Sequence, residues 1–179
     1  YLHVPIGTRL DLCAAPPGQL KVGLVWAGSG MFLWGQARSV ALSELAPLLS
    51  VSSVTFYSLQ VGPGTRQLKE TPLRNQMIDL APQLTDFGAP AAAVSQMDLV
   101  ISVDTSVGHL AGALAKPVWL LLSFAADWRW LFERTDSPWY PTMRLFRQPR
   151  PGDWASVISE IREALLQRVN AGGCATSGR

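Results

Sequence analysis

One segment narrows the choice of fold more than any other. Residues 99–103, Leu-Val-Ile-Ser-Val, form a short apolar run rich in β-branched side chains, and residues 118–122, Val-Trp-Leu-Leu-Leu, form a second. Apolar runs of this length without polar alternation suit strands buried on both faces, as in parallel sheets. Between them Val107, Leu110, Ala111, Leu114 and Ala115 recur at helical spacing. Gly108, Ala111, Gly112 and Ala115 keep one side small, so the predicted helix can lie close to a sheet, and Pro117 is expected to stop it. Strand, helix and strand in this order make a βαβ unit.

The polar residues of this segment are not scattered. Asp104, Thr105, Ser106 and His109 all fall at the strand-to-helix turn or in the first helical turn. A helix N-terminus carries unpaired N–H groups and the positive end of the helix dipole, so it suits an anion such as a diphosphate. Singly, each residue has a plainer reading. Asp104 or Thr105 could be an N-cap, and His109 a core histidine bonded to a carbonyl. Their convergence on one helix start favours the anion site.

Strand and helix patterns alternate along the rest of the chain. Strands are predicted near 22–27, 54–59, 77–80 and 143–146, in addition to the two above. Helices are predicted after Ser39 as N-cap, over 65–70, over 89–97 and after Asp153 as N-cap, the last carrying Val157, Ile158, Ile161, Leu165 and Leu166. Alternation of this kind predicts an α/β, Rossmann-like parallel sheet with helices on both faces. The four strongest runs are expected side by side in one layer. In such sheets ligands bind at the carboxyl ends of the strands, where the loops 28–38, 60–64 and 104–109 would sit. Residues 1–19, with Pro5, Pro16 and Pro17, read as a linker or extended arm. Residues 20–170 read as the folded domain and 171–179 as a flexible tail. Residues 123–141 form a loop dense in aromatics, in which Asp127-Trp128-Arg129-Trp130 reads as packing plus a local salt bridge.

Composition excludes several classes. A chain of 179 residues with 48% hydrophobic and 16% charged residues has a folded interior, and a net charge of +2 gives no basis for nucleic-acid binding. Cys13 and Cys174 form neither a metal-spaced pair nor a disulfide framework. No apolar run is long enough for a transmembrane segment and no signal peptide is visible, so a cytoplasmic location is expected. The chain begins at Tyr1 rather than Met and is expected to be part of a longer protein.

Common nucleotide motifs fail. Gly28-Ser29-Gly30 follows the first strand, but Leu33 stands where a dinucleotide fingerprint requires glycine. No Gly-Lys-Ser/Thr loop occurs. The 28–37 loop could still place backbone N–H groups and Ser29 near a phosphate, or be a plain turn. Arg38 could clamp a phosphate or lie on the surface. No catalytic triad, carboxylate pair or metal-ligand cluster can be assembled.

Several stretches together resemble a known family. Lys21-Val-Gly-Leu-Val-Trp-Ala-Gly, Ser58-Leu-Gln-Val-Gly-Pro, Leu84-Thr-Asp-Phe, the 98–114 segment around Asp104-Thr-Ser-Val-Gly-His, Asp127-Trp-Arg-Trp and Trp139-Tyr-Pro-Thr-Met-Arg-Leu-Phe-Arg-Gln are similar to the C-terminal region of bacterial tetratricopeptide-repeat glycosyltransferases. That region is similar in turn to the nucleotide-binding half of the heptosyltransferase-like family, glycosyltransferase family 9. The resemblance implies one half of a GT-B fold, the donor-binding half, with a nucleoside-diphosphate sugar as donor and no metal or cofactor. It implies that Asp104, Thr105, Ser106 and His109, with the intervening Val107 and Gly108, hold the donor diphosphate and sugar. Gly28 and Ser29 would touch the phosphates, Arg38 would add a cation, and Gln60 would lie near the nucleoside. The catalytic base is expected on an N-terminal acceptor-binding domain, with tetratricopeptide repeats as a further possible partner in the parent chain. Two positions depart from the family pattern. Ser106 replaces a Gly or Ala, and residues 30–36 are far more apolar than the polar loop usual there.

The sequence therefore reads as the donor domain of a GT-B glycosyltransferase, inactive alone. Two other readings stay open: a non-catalytic nucleotide- or partner-binding module of the same fold, and a sugar-nucleotide epimerase-like enzyme.

Overall fold

The computed structural model describes residues 2–5, 7–8, 10–12, 15–28, 37–86 and 88–174. Six strands form one sheet: β1 (Leu20–Val25), β2 (Val54–Ser58), β3 (Met77–Asp79), β4 (Leu99–Val103), β5 (Val118–Leu122) and β6 (Met143–Arg147). Their order is β3-β2-β1-β4-β5-β6, and every neighbouring pair is parallel. The four runs singled out by sequence are indeed adjacent, as β2, β1, β4 and β5. Strand order reverses between β1 and β4, so the crevice at their carboxyl ends is the ligand position of a doubly wound sheet. Val25 is level with Ser102, and the loops after these two strands leave the same edge side by side.

Alternate strand residues face opposite layers. Leu24, Phe56, Ile101 and Leu121 pack under α1 (Ala46–Leu49) and α5 (Trp154–Cys174), against Leu48, Val157, Ile161 and Leu165. Val25, Tyr57, Val100 and Leu120 pack under α3 (Gly88–Ser95) and α4 (Ser106–Ala113), against Ala93, Val94 and Ala111. A shorter α2 (Thr65–Lys69) lies after β2 and contributes Leu68 to the first layer. Both faces are covered, which explains why β4 and β5 carry no polar alternation.

Caps account for the helix boundaries. Asp153 caps α5 as expected, its Oδ1 accepting from the Ser156 N–H at 3.1 Å. Ser39 does not cap a helix. The helical region begins later, as a 3-10 turn over Leu42–Leu45, and the Ser39 hydroxyl instead accepts from the Gly28 N–H at 3.1 Å. The tail assignment also shifts, because α5 continues past residue 170 to Cys174. The proximal arm is packed: Leu10 is buried, and its carbonyl accepts from Gln96 Nε2 at 2.9 Å.

α4 ends at Ala113, earlier than its apolar spacing suggested, and Pro117 is not what stops it. Ala115 sits at φ 56°, with Ala115 N–H bonded to the Gly112 carbonyl and Lys116 N–H to the Ala111 carbonyl, both at 3.0 Å. This pair of bonds is a Schellman closure with alanine where glycine is usual. A left-handed alanine costs roughly 1–2 kcal/mol, and part of that is offset by the greater freedom glycine has when unfolded. Ala115→Gly should therefore raise stability by about 0.5–1 kcal/mol, a Tm gain of roughly 1–4 °C by calorimetry. A lowered Tm would show that the closure is not strained.

Candidate functional site

The crevice between β1 and β4 is built from the start of α4. Thr105 occupies the N-cap position in extended conformation, but its side chain does not cap the helix. Its hydroxyl turns back to Ser102 Oγ at 3.0 Å, and Ser102 in turn donates to the Val103 carbonyl at 2.7 Å. The first-turn N–H groups, on Ser106, Val107 and Gly108, thus receive no cap from the Thr105 side chain, and Ser106 and Val107 line the cleft. A Cβ at Gly108 would lie 3.0 Å from Leu120 Cδ1, so glycine lets the helix start seat directly on the sheet.

Asp104 organises the charges around this helix start. Its carboxylate is only 6% exposed and lies 3.3 Å from the Arg38 guanidinium and 3.6 Å from His109 Nε2. Burial pushes this carboxyl up, but His109, the approaching indole of Trp130 and the Arg38 charge outweigh it and hold the group below the ordinary carboxylate range. The Trp130 N–H approaches Asp104 without closing a hydrogen bond of ordinary geometry. Asp104 thus faces the Arg38 guanidinium and the His109 ring rather than an anion, and its place is to hold both beside the uncapped helix start.

His109 is not a core histidine. Its side chain is one-third exposed and lines the crevice. Nδ1 lies 3.0 Å from the Tyr140 hydroxyl, and the ring stacks on Trp130 at 5.2 Å. With an ionised Asp104 at Nε2, the neutral ring carries its proton there and Nδ1 accepts from Tyr140. Tyr140 reaches this position because residue 112 is glycine: a Cβ there would lie 2.5 Å from the Tyr140 ring.

From this helix start a cleft of about 680 Å³ runs along α4, lined by Val61, Leu84, Thr85, Asp86, Leu110 and Tyr140 among others. Ser106 and His109 bring polar groups to its helix-start end, Thr85, Asp86 and Tyr140 add others, and most of the remaining wall is apolar. Among the described residues no cluster of His, Cys, Asp and Glu could hold a metal ion, and no helix is long and apolar enough to cross a membrane.

The residues singled out from sequence separate into three groups. Arg38, Asp104, Thr105, Ser106, Val107, Gly108 and His109 come together. Gly28 is adjacent, but its N–H is bonded to Ser39. Gln60 is 2% exposed and its amide is fully engaged with backbone. Oε1 accepts from Trp26 N–H at 3.1 Å and Ala27 N–H at 2.9 Å, while Nε2 donates to the Ala27 and Val61 carbonyls at 3.0 and 2.8 Å. Ser29 and the apolar stretch 30–36 lie outside the described residues. Trp130 and Tyr140 were missed. Asp127 and Arg129 do pair, at 3.3 Å, but the neighbouring Trp130 is fully buried as the platform under His109. The available signal was the density of aromatics directly after β5, at the same sheet edge as the βα turn.

Residues 64–122 match the model for glycosyltransferase family 9 (heptosyltransferase), a span that includes the whole Asp104–His109 turn. Protein FlbA of Caulobacter vibrioides is 31% identical over 153 residues, covering 81% of this chain and 25% of that protein. The E. coli ADP-heptose LPS heptosyltransferase II structure matches with a TM-score of 0.59 at 18% identity, over 88% of this chain and 47% of that one. A family 9 glycosyl transferase from Veillonella parvula DSM 2008 matches with a TM-score of 0.61 at 12% identity, over 88% of this chain and 48% of that one. The chain therefore spans a quarter of FlbA and just under half of each solved relative. At these identities the structural likeness establishes the fold, the Rossmann-like α/β arrangement of GT-B heptosyltransferases.

Proposed function

We propose that this chain is the donor-binding half of a metal-independent GT-B glycosyltransferase that uses a nucleoside-diphosphate sugar. One observation carries the reading: the uncapped N-terminus of α4 opens into the cleft with Arg38 and His109 fixed beside it by one buried carboxylate. The diphosphate would take the N–H groups of residues 106–108 and the Arg38 guanidinium, and the nucleoside would lie along the apolar part of the cleft. As the sugar departs, negative charge grows on the diphosphate. Cationic and N–H groups already aimed at that position stabilise it without rearranging. The acceptor site and catalytic base belong to a second domain of a longer protein, which also has room for tetratricopeptide repeats. A nucleotide-binding module without transfer is the second reading, favoured by the apolar sequence of residues 30–36.

The test is calorimetric titration with ADP, UDP, GDP and inorganic pyrophosphate. At least one nucleoside diphosphate should bind, and His109→Ala should weaken it about tenfold, or about 1.4 kcal/mol, while Tm falls by only a few degrees. Unchanged affinity with a large loss of Tm would remove His109 from the site. Sugar transfer by the longer parent protein then separates a transferase from a binding module or an epimerase.

A further inference from the structure

The outer wall of the cleft does not come from the sheet or its helices. Leu2, in the N-terminal arm, lines the same cleft as Val61, Leu84, Leu110 and Ala113. Its backbone N–H donates to the Ala113 carbonyl in the last turn of α4 at 3.2 Å. The arm is held again further along. Leu10 is buried, its carbonyl accepts from Gln96 on the turn after α3, and Val4 and Leu12 pack against the α3/α4 layer. Thr8 lies so near the start of α3 that a Cβ on Gly88 would stand 3.3 Å from its hydroxyl. The described residues of the arm thus form a strap across α3 and α4, and among them Leu2 reaches the cleft. Leu2 is left 49% exposed, facing a hollow whose walls are mostly apolar, with Thr85, Asp86, Ser106, His109 and Tyr140 as its polar members.

Resting on the donor-site reading above, we propose that Leu2 is a specificity-determining residue, the strap's contribution to the wall that packs on the nucleoside base. The position supports this assignment. Leu2 is tied to the C-terminal end of α4, while the anion-seeking groups sit at its N-terminal end. α4 is eight residues long, and at 1.5 Å per residue that separates the two ends by roughly 12 Å. A diphosphate on the helix start places its nucleoside toward Leu2. A half-exposed leucine gains from a flat apolar partner and offers nothing to phosphate oxygens.

The experiment uses the full chain and compares one base-bearing ligand with one that has no base. Wild type, Leu2→Asp and Leu2→Met are titrated with the best-bound of ADP, UDP and GDP, and with inorganic pyrophosphate. Leu2→Asp should weaken the nucleoside diphosphate about tenfold, leave pyrophosphate unchanged, and leave the ligand-free Tm within about a degree, because the backbone bond to Ala113 remains. Leu2→Met should restore most of the affinity. Equal losses for both ligands would mean that the strap merely supports α4, and unchanged affinity for both would remove Leu2 from the site. Either result overturns the inference while the donor reading stands. A wild-type chain that binds pyrophosphate and all three nucleotides equally overturns it too, and one that binds none of them overturns the donor reading as well.

Discussion

Gln60→Leu should be the most damaging single substitution near the site, lowering Tm by about 10 °C or more. The change is nearly neutral in volume, so cavity formation is not the cause. The Gln60 amide uses both acceptor positions on the N–H groups of Trp26 and Ala27, and both donor hydrogens on the carbonyls of Ala27 and Val61. Leucine can replace none of these bonds. The side chain is 2% exposed, so water cannot readily take its place. Each buried N–H left without a partner costs about 1–3 kcal/mol, so two of them imply a loss near 4 kcal/mol. That is a large share of the ~5–15 kcal/mol that holds an ordinary domain together. At roughly 2–4 °C per kcal/mol for a chain of this size, the expected shift follows. Neighbouring backbone has no slack: a Cβ on Gly64 would lie 2.7 Å from the Gln60 amide. Thermal unfolding of the variant measures this directly. A Tm within about 3 °C of wild type, combined with lost nucleotide affinity, would assign Gln60 to the nucleoside instead of to the loops.

Asp104→Asn should cost about 2–3 kcal/mol at neutral pH, and the cost should shrink in acid. The carboxylate balances Arg38 and His109 in a nearly closed position, and hydrogen bonds to charged groups are worth about 1.5–3 kcal/mol. Its folded-state pKa lies below the value of 3.8 for the free side chain. A carboxyl shifted in this direction stabilises the fold fully above the unfolded value, and that contribution is lost as pH falls through the lower, folded value. The Tm difference between wild type and Asp104→Asn should therefore stay constant from about pH 7 to about pH 5, and narrow below about pH 4. A difference that does not change down to about pH 3 would show that the carboxylate charge is not what stabilises this corner. Pyrophosphate affinity should fall in the same variant, because Arg38 and His109 lose the group that fixes them.

How much of this was legible beforehand differs from element to element. β4, α4 and β5 could be read directly, because unbroken apolar runs joined by a small-residue helix have few other ways to bury their surface. The strand layer followed from the same logic, and so did the Asp153 cap, whose partner lies three residues away. Local signals failed where two solutions were equally good locally. Ser39 had the residue type of an N-cap, but its hydroxyl found the Gly28 N–H across a loop. Pro117 explained the end of α4 on paper, while the backbone had already closed at Ala115.

The candidate site divides in the same way. The sequence by itself determined the α/β class, the parallel pairing and the helix start that gathers Asp104, Thr105, Ser106 and His109, because strand burial and helix N-terminal chemistry are local properties of a few consecutive residues. Only the tertiary structure decided what those residues face. Arg38 pairs with a carboxylate 66 positions away, Tyr140 meets His109 across 31 positions, Trp130 slides beneath that ring, and Leu2 arrives from the opposite end of the chain. Nothing in local spacing encodes such meetings. They are set by the reversal of strand order between β1 and β4, which brings loops from distant parts of the chain to one edge, where burial lets a single carboxylate command its neighbours.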